Sequence, residues 1–588
     1  GRIGGWRDAI LANGELYEKI RRKYRMKNTV GYSLNAFIDH EHPLDILAHL
    51  MVGAEGTLGF IIDATLHTIP DLPEKAATML YFPGIYDACA AIPELKHSGA
   101  EALELMDRNA LRSVEHMPGL PAFFKDLPEG AAALLCEYQA QDRAALDQLL
   151  QKAQHVFDRL PLLHAADITK NEYQRQFYWK IRKGMFPSVG AVRQRGTTVL
   201  LEDIAFPVPS LADALVDLRS LFAEFGYDNA IIFGHAKEGN IHFVLTQLLD
   251  RDEEIDRYDR FIRKVADLVV SKYDGALKAE HGTGRNMAPF VEMEWGGAAY
   301  EIMRSLKQAV DPDDLLNPGV IINADPNAHI KDLKQMPQVE EEVDKCIECG
   351  FCEHHCPSRD VTLTPRQRIQ VRRHLRQFEA RGDRRSYDEL LEQYQYAGLD
   401  TCATDGLCQV DCPVSINTGD LVKRLRKEQH GKFSKAMAMG VARQFALVES
   451  MLRVLLRTGV FANRWFGRNF MAKLTGAIHK LIPAMPMWWN ELPVPPQAIS
   501  NMPNDPQYVY LSACIQRMMG NDEQMGGLQQ AMITLCQRAG IDVLLPPSLT
   551  GHCCGQAFSS KGYFDAARHK QEQLVDALWN WTKQGALP

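Results

Sequence analysis

The sequence predicts a multidomain α+β protein, and three observations carry that reading. At 588 residues the chain is too long for one hydrophobic core. Between 76 and about 322, strand-like runs alternate with helical runs. Seven of the thirteen cysteines then crowd between 346 and 412, in a separate stretch of different composition. Hydrophobic residues at 46% and charged residues at 24% are ordinary for a globular chain. The net charge of −8 offers no general attraction to nucleic acid, and no zinc-finger spacing is present. No run reaches the ~18 to 20 apolar residues that span a bilayer.

The elements follow in order. Residues 1–70 hold an amphipathic helix, "WRDAILANGELYEKIRRKY", and a glycine-punctuated stretch, "VGAEGTLGFIIDATLHTIP". Region 71–325 contains the strand-like "ATMLYF", "AAALLCEYQA", "TTVLLEDIAF" and "AIIFG", with helices expected at 210–226 and 251–273. An acidic, proline-containing linker covers 331–343, and the cysteine region runs over 344–430. A helical region (431–492) ends in "PMWWNELP", a proline-rich linker covers 493–506, and an α/β segment closes the chain at 507–588. The opening at Gly1 reads as a start in mid-domain. Without a secretory signal, clustered cysteines point to metal ligation in a reducing compartment. Cytoplasm is the default, with a peripheral place at the inner membrane as the alternative.

Cys346, Cys349, Cys352 and Cys356, the last followed by Pro357, match the C-x2-C-x2-C-x3-C-P run of bacterial-type ferredoxins. There three thiolates grip one cluster while the fourth cysteine reaches across to another. Zinc takes two ligand pairs across a spacer, which this is not. The second group has Cys402, Cys408 and Cys412, but Asp405 stands where the middle ligand is expected. Cross-sharing assigns Cys346, Cys349, Cys352 and Cys412 to a complete [4Fe-4S] cluster. The other keeps Cys356, Cys402 and Cys408, with Asp405 as a weak oxygen donor to a fourth iron or merely the cap of a "TDG" turn over a [3Fe-4S] cluster.

In "IIFGHAKEGNIHFVL" (231–245) a strand, a turn and a second strand can bring His235 and His242 together. "KAEHGTGR" (278–285) adds Glu280 and His281. Two histidines and a carboxylate make a site for zinc or another divalent ion, with His281 free to face a substrate hydroxyl.

These motifs resemble the H…G-N-x-H and E-H motifs of the FAD-linked D-2-hydroxy acid dehydrogenases, including D-lactate and D-2-hydroxyglutarate dehydrogenases. The stretch 52–66 resembles the end of the flavin domain in vanillyl-alcohol-oxidase-type enzymes, and "KNTVGYSL" (27–34) looks like another segment of it. "DDLLNPG" (313–319) matches the closing segment beside the flavin. The resemblance implies FAD contacts at Gly53, Glu55, Gly56, Thr57, Gly59, Ile62 and Asn317. "YWKIRKGMFPS" (178–188) is similar to the substrate-arginine segment, making Arg182 a candidate carboxylate clamp. Cys514 and the Cys553-Cys554-Gly555 run resemble half of a heterodisulfide-reductase-like CCG motif, a redox or cluster site. The motif's other half is expected past Pro588.

The order of parts resembles the large fused FAD/iron–sulfur D-2-hydroxyglutarate dehydrogenases of bacteria. It implies the end of an FAD-binding α+β domain (1–70), a cap or substrate domain (71–325), an α-helical two-cluster ferredoxin-like domain (344–430) and a partial C-terminal α/β cysteine-rich domain (507–588). His281 then takes the hydroxyl proton while the α-hydrogen leaves as hydride, and electrons pass singly through the clusters to a quinone or carrier protein. The alternatives are glycolate or D-lactate as substrate, or a non-catalytic electron-transfer subunit. A homo-oligomer is left open. The basic helices at 434–482 with Trp465, Trp488 and Trp489 read as packing between domains rather than a membrane contact.

Overall fold

The structure is a computed structural model that describes residues 1–588, apart from 483, 484, 491, 493, 498 and 520–526 and the side chains of 186–189 and 191–192. It is mixed α+β, in two compact units. One comprises Gly1–Glu353, Arg366–Tyr387 and Gln409–Ile416; the other comprises His354–Pro365, Asp388–Cys408 and Asn417–Pro588. The cysteine region 344–430 is thus shared between them.

The first unit is organised by a six-stranded antiparallel sheet. Its strands are β1 (Glu74–Phe82), β2 (Ala102–Asp107), β3 (Ala132–Ala140), β4 (Thr198–Ala205), β5 (Ile231–His235) and β6 (Asn240–Gln247), in the order β1-β3-β2-β5-β6-β4. The strands read as nearly continuous apolar runs because both faces are covered. Leu103, Leu105, Ile232, Ile241 and Phe243 alternate onto one face and join the main core, with the helices Arg143–Phe157 and Leu211–Glu224. Met79, Met106, Leu135, Phe233 and Val244 take the other face and pack on Tyr178, Ile181 and Met185 of the helix Glu172–Val192. That second face is the one interrupted by polar residues.

The expected N-terminal helix is two, Arg2–Ala12 and Gly14–Lys23. They part at Asn13, whose side-chain oxygen accepts from Leu16 N–H at 3.1 Å and starts the second helix. The helices expected at 210–226 and 251–273 are Leu211–Glu224 and Asp252–Asp267, the latter ending in a π turn to Lys272. Strand β2 is an element the sequence reading did not name.

The second unit is mostly helical. Lys432–Arg443 packs against Phe564–Trp581 around Ala442, Phe445, Phe558 and Ala567. Helices Phe445–Phe466 and Phe470–Leu481 follow, and Trp488 lies over Gly459 between them. A two-stranded parallel sheet, β7 (Tyr508–Val509) with β8 (Val543–Leu544), marks the C-terminal α/β segment.

Candidate active site and redox centres

Register assembles the site. Glu104 of β2 lies opposite His235 of β5, Phe233 opposite His242 of β6, and His242 opposite Asp203 of β4. Residues directly opposite share a face, and His235 is two positions from Phe233, so four strands set Glu104, His235, His242 and Asp203 in a staggered row on one face. Glu280 closes the row from the segment after the sheet. Its Oε1 is 3.4 Å from His235 Nε2 and 3.3 Å from His242 Nε2. Behind them, His235 Nδ1 is hydrogen-bonded to Glu104 Oε1 at 2.6 Å, whereas His242 Nδ1 lies 3.3 Å from Asp203 Oδ1 without a hydrogen bond.

Asp203 is fully buried and was not foreseen as a site residue. Its Oδ2 accepts three consecutive backbone N–H groups, from Ala279 (3.1 Å), Glu280 (2.6 Å) and His281 (2.8 Å). Its Oδ1 accepts from Asn240 Nδ2 at 2.7 Å. One carboxylate therefore fixes the turn that presents Glu280 and His281 and stands behind His242. Lys278 reinforces that segment by a 2.7 Å pair with buried Glu202 of the same strand.

Electrostatics separate the histidines. Hydrogen bonds to Glu104 and then Glu280 push His235 up to about 9. The same histidines, His235 first, hold the Glu280 carboxyl far below its usual range. Lys27 adds a 2.9 Å contact to Glu280 Oε2. His281 moves the other way, because burial disfavours its charged form. Its ring stacks on His242 with centroids 5.0 Å apart, and Nδ1 is 4.0 Å from Asp203 Oδ2. An imidazole kept neutral in this way is in the form that can accept a proton.

The donor set fits a divalent ion. Two imidazole nitrogens converge on one carboxylate oxygen, and Glu104 backs His235 as an outer-shell acid backs a metal-bound histidine. Asp203, His242, Glu280 and His281 also place one ligand atom each within 4.8 Å of one another. The lone pairs of Asp203 are committed to four N–H donors, so it supports the site rather than ligating in it. Arg182 joins through the same network. Its Nε donates to Glu104 Oε2 at 2.9 Å, and its guanidinium lies 4.5 Å from the Phe233 ring centroid. A carboxylate clamp would have to work from within this buried pair.

The separate motifs meet beside the site. "KNTVGYSL" runs along "KAEHGTGR": Thr29 N–H donates to Lys278 O (2.9 Å) and Gly31 N–H to Thr283 Oγ1 (2.9 Å). The Glu55 carboxylate accepts from Thr283 N–H (2.6 Å) and Gly284 N–H (2.9 Å), while Asn317 Nδ2 donates to Glu55 O (2.7 Å). A Cβ on Gly282, at φ +81°, would sit 2.8 Å from Glu55 Oε1, so only glycine fits there. Of the expected FAD contacts, Gly53 and Gly56 have positive φ and Thr57 is buried against the Tyr32 hydroxyl (2.8 Å). Gly59 ends the turn, and Ile62 lies exposed in a stretch without regular structure. Backbone groups at 53–57 gathered by such turns fit close approach of a large ligand.

None of the thirteen cysteines is in a disulfide. The division of the chain sorts the two groups: Cys346, Cys349, Cys352 and Cys412 fall in the first unit, and Cys356, Cys402, Asp405 and Cys408 in the second. Backbone N–H groups aim at two of the sulfurs, Glu348 N to Cys346 Sγ (3.4 Å) and Ile416 N to Cys412 Sγ (3.2 Å), as thiolates binding a cluster favour. Asp405 is exposed, and its Oδ1 accepts from Leu407 N–H at 3.1 Å, capping the turn.

In the C-terminal segment, Cys514 Sγ and Cys553 Sγ are 3.7 Å apart, and Cys554 is exposed. The hydrogen bond from Cys553 brings the Cys514 thiol down to about 7, and that same contact pushes Cys553 up. Buried Glu449 holds the loop by a bidentate pair with Arg517 (2.8 and 3.0 Å) and by accepting Gly551 N–H (2.9 Å).

Comparison with known proteins places these parts. Residues 72–321 match the family of FAD linked oxidases, C-terminal domain, and residues 342–416 match the 4Fe-4S dicluster domain. A D-lactate dehydrogenase of Anaerostipes hadrus is 27% identical over 284 residues, 47% of this chain and 58% of the relative. A D-2-hydroxyglutarate dehydrogenase of Stutzerimonas stutzeri is 27% identical over 320 residues, 54% of this chain and 64% of the relative. The glycolate oxidase subunit GlcD of Bacillus subtilis is 24% identical over 322 residues, 54% of this chain and 63% of the relative. The chain thus spans about 58 to 64% of the length of these relatives. It joins an FAD-linked oxidase C-terminal domain at 72–321 to a 4Fe-4S dicluster domain at 342–416.

Proposed function

We propose that the protein oxidises a small D-2-hydroxy acid, D-2-hydroxyglutarate to 2-oxoglutarate first among the candidates, and passes the electrons to an external acceptor. The observation that carries this is the convergence of His235 Nε2 and His242 Nε2 on Glu280 Oε1, with the neutral His281 stacked alongside. His235, His242 and Glu280 would hold a divalent ion such as zinc. When bound, that ion supplies Lewis acidity toward the hydroxyl and carboxylate, FAD a hydride acceptor, and the clusters a one-electron relay. His281 accepts the hydroxyl proton at its imidazole while the α-hydrogen departs with its electron pair. Asp203 keeps His281 and Glu280 in place through their backbone, and Arg182 binds the substrate carboxylate from its pair with Glu104. An ordered set of base, metal donors and backing acids argues against a mere electron carrier.

Glycolate and D-lactate are the second reading, since relatives named for them match as well as one named for D-2-hydroxyglutarate. The test is a panel of D- and L-2-hydroxy acids with a dye acceptor, using protein prepared anaerobically with FAD and iron. D-selective turnover is expected, fastest with D-2-hydroxyglutarate. Silence across the panel with intact cluster absorbance would leave the carrier reading.

A further inference from the structure

The helices after the cysteine region do not bury what the sequence reading expects them to bury. Trp488 packs on Gly459, but Trp465 and Trp489 stay exposed. Along Phe445–Phe466, Leu447, Met451, Val454, Phe461 and Trp465 recur at intervals of four, three, seven and four, and each is between 55% and 70% exposed. That spacing sets them on one helix face, an apolar stripe without a partner among the described residues. Phe466 and Phe470 continue it at the turn into the next helix.

Charge says what covers the stripe. Residues 432–482 contain nine Lys and Arg against a single acid, in a chain whose net charge is −8. The acid is Glu449, buried and paired with Arg517, so the exposed charges that this segment itself contributes are basic. Arg464 and Arg468 flank the aromatic end of the stripe. Two copies of so basic a surface would repel one another, which disfavours self-association through it. No described helix is long and apolar enough to cross a membrane. An apolar face with Trp and Phe, bordered by basic residues, instead suits the headgroup boundary of a bilayer.

We propose that the helices Phe445–Phe466 and Phe470–Leu481 lie on an anionic phospholipid surface, with the Leu447–Trp465 stripe inserted at the acyl boundary and the arginines at the phosphates. This goes beyond the catalytic reading and stands if the substrate assignment fails.

The test is co-sedimentation of the whole protein with vesicles of phosphatidylcholine alone or mixed with phosphatidylglycerol. Each basic residue near an anionic leaflet strengthens binding about fivefold, so the mixed vesicles should bind at least about tenfold more tightly. Raising the salt should reverse much of that preference. Phe461→Ser with Trp465→Ser, and separately Arg464→Glu with Arg468→Glu, should each weaken binding about tenfold or more. Circular dichroism, cluster absorbance and dye-linked turnover should stay unchanged. A blue shift and quenching of tryptophan emission by brominated lipid should accompany binding and shrink in Trp465→Phe. Equal affinity for both vesicles, or binding to neither, would overturn the proposal. So would a dimer at micromolar concentration that the Phe461/Trp465 variant dissociates, because the occupant would then be a second copy.

Discussion

The row on the sheet and the two cysteine groups are built on different principles. Glu104, His235, His242 and Asp203 are aimed by cross-strand register, and buried Glu104 holds His235 from behind. The cysteines stand on short loops with few regular elements between 344 and 364, held by contacts such as that from the Arg373 guanidinium Nη2 to Cys346 O at 2.8 Å. A site framed by strands exists before its ion arrives, whereas a site framed by loops depends on its cluster for much of its order.

Iron removal should break this comparison most visibly. Chelation under reducing conditions should abolish cluster absorbance and expose amides at 346–356 and 402–416 to hydrogen exchange. Strands β4–β6 should keep their protection. Equal loss in both regions would mean that the sheet site is not preorganised.

Asp203→Asn tests the support behind the row. An amide cannot serve three N–H donors as a carboxylate does, so a loss of about 2–4 kcal/mol of stability is expected on denaturant titration. Divalent-metal affinity should fall about 10–100-fold, the usual effect of removing an outer-shell partner. Affinity unchanged in a folded variant would detach Asp203 from the metal site.

The pH dependence sharpens the contrast further. His235 titrates near 9 in the metal-free fold, above its ordinary value of 6.5. Its ion pairs with Glu104 and Glu280 therefore stabilise the metal-free protein fully below about 6.5, and that contribution is lost as pH rises through about 9. Metal binding runs oppositely, because the imidazole must first lose its proton. Calorimetry at pH 7.5 in buffers of different ionisation enthalpy should show release of about one proton per ion bound. No buffer dependence would contradict the protonated His235.

The smallest effect concerns Asp405. Replacing it with cysteine removes the cap to Leu407 N–H, at a cost of about 1 kcal/mol. It should also change the low-temperature EPR signals and oxidation behaviour of the cluster on Cys356, Cys402 and Cys408, leaving the complete one unaltered. Identical spectra and identical behaviour in air would leave Asp405 as a turn cap alone.

How legible each region was follows from its construction. Cysteine ligands are spaced by the chain itself, so Cys346 to Cys356 could be read from a few adjacent residues. His235, His242, Glu280 and His281 were legible because a short hairpin and one loop carry them. Asp203 and Glu104 were not, because only strand register places them beside histidines 39 and 131 positions away. A signal existed: both are acids inside otherwise apolar runs, "TTVLLEDIAF" and "ALELMD", where a buried carboxylate requires partners. The helical region is less legible for the converse reason. An amphipathic stripe reads the same in a sequence whether protein or lipid covers it.

The most direct measurement for the central claim is the metal content of active protein by mass spectrometry, read beside the rate at which substrate reduces bound flavin. The account predicts one divalent ion beyond iron per chain. That ion should be lost in His235→Ala and His242→Ala together with most of the turnover, while cluster absorbance persists. It should be kept in His281→Ala, where flavin reduction slows for want of the proton acceptor. Fully active protein with no divalent ion beyond iron would contradict the metal site.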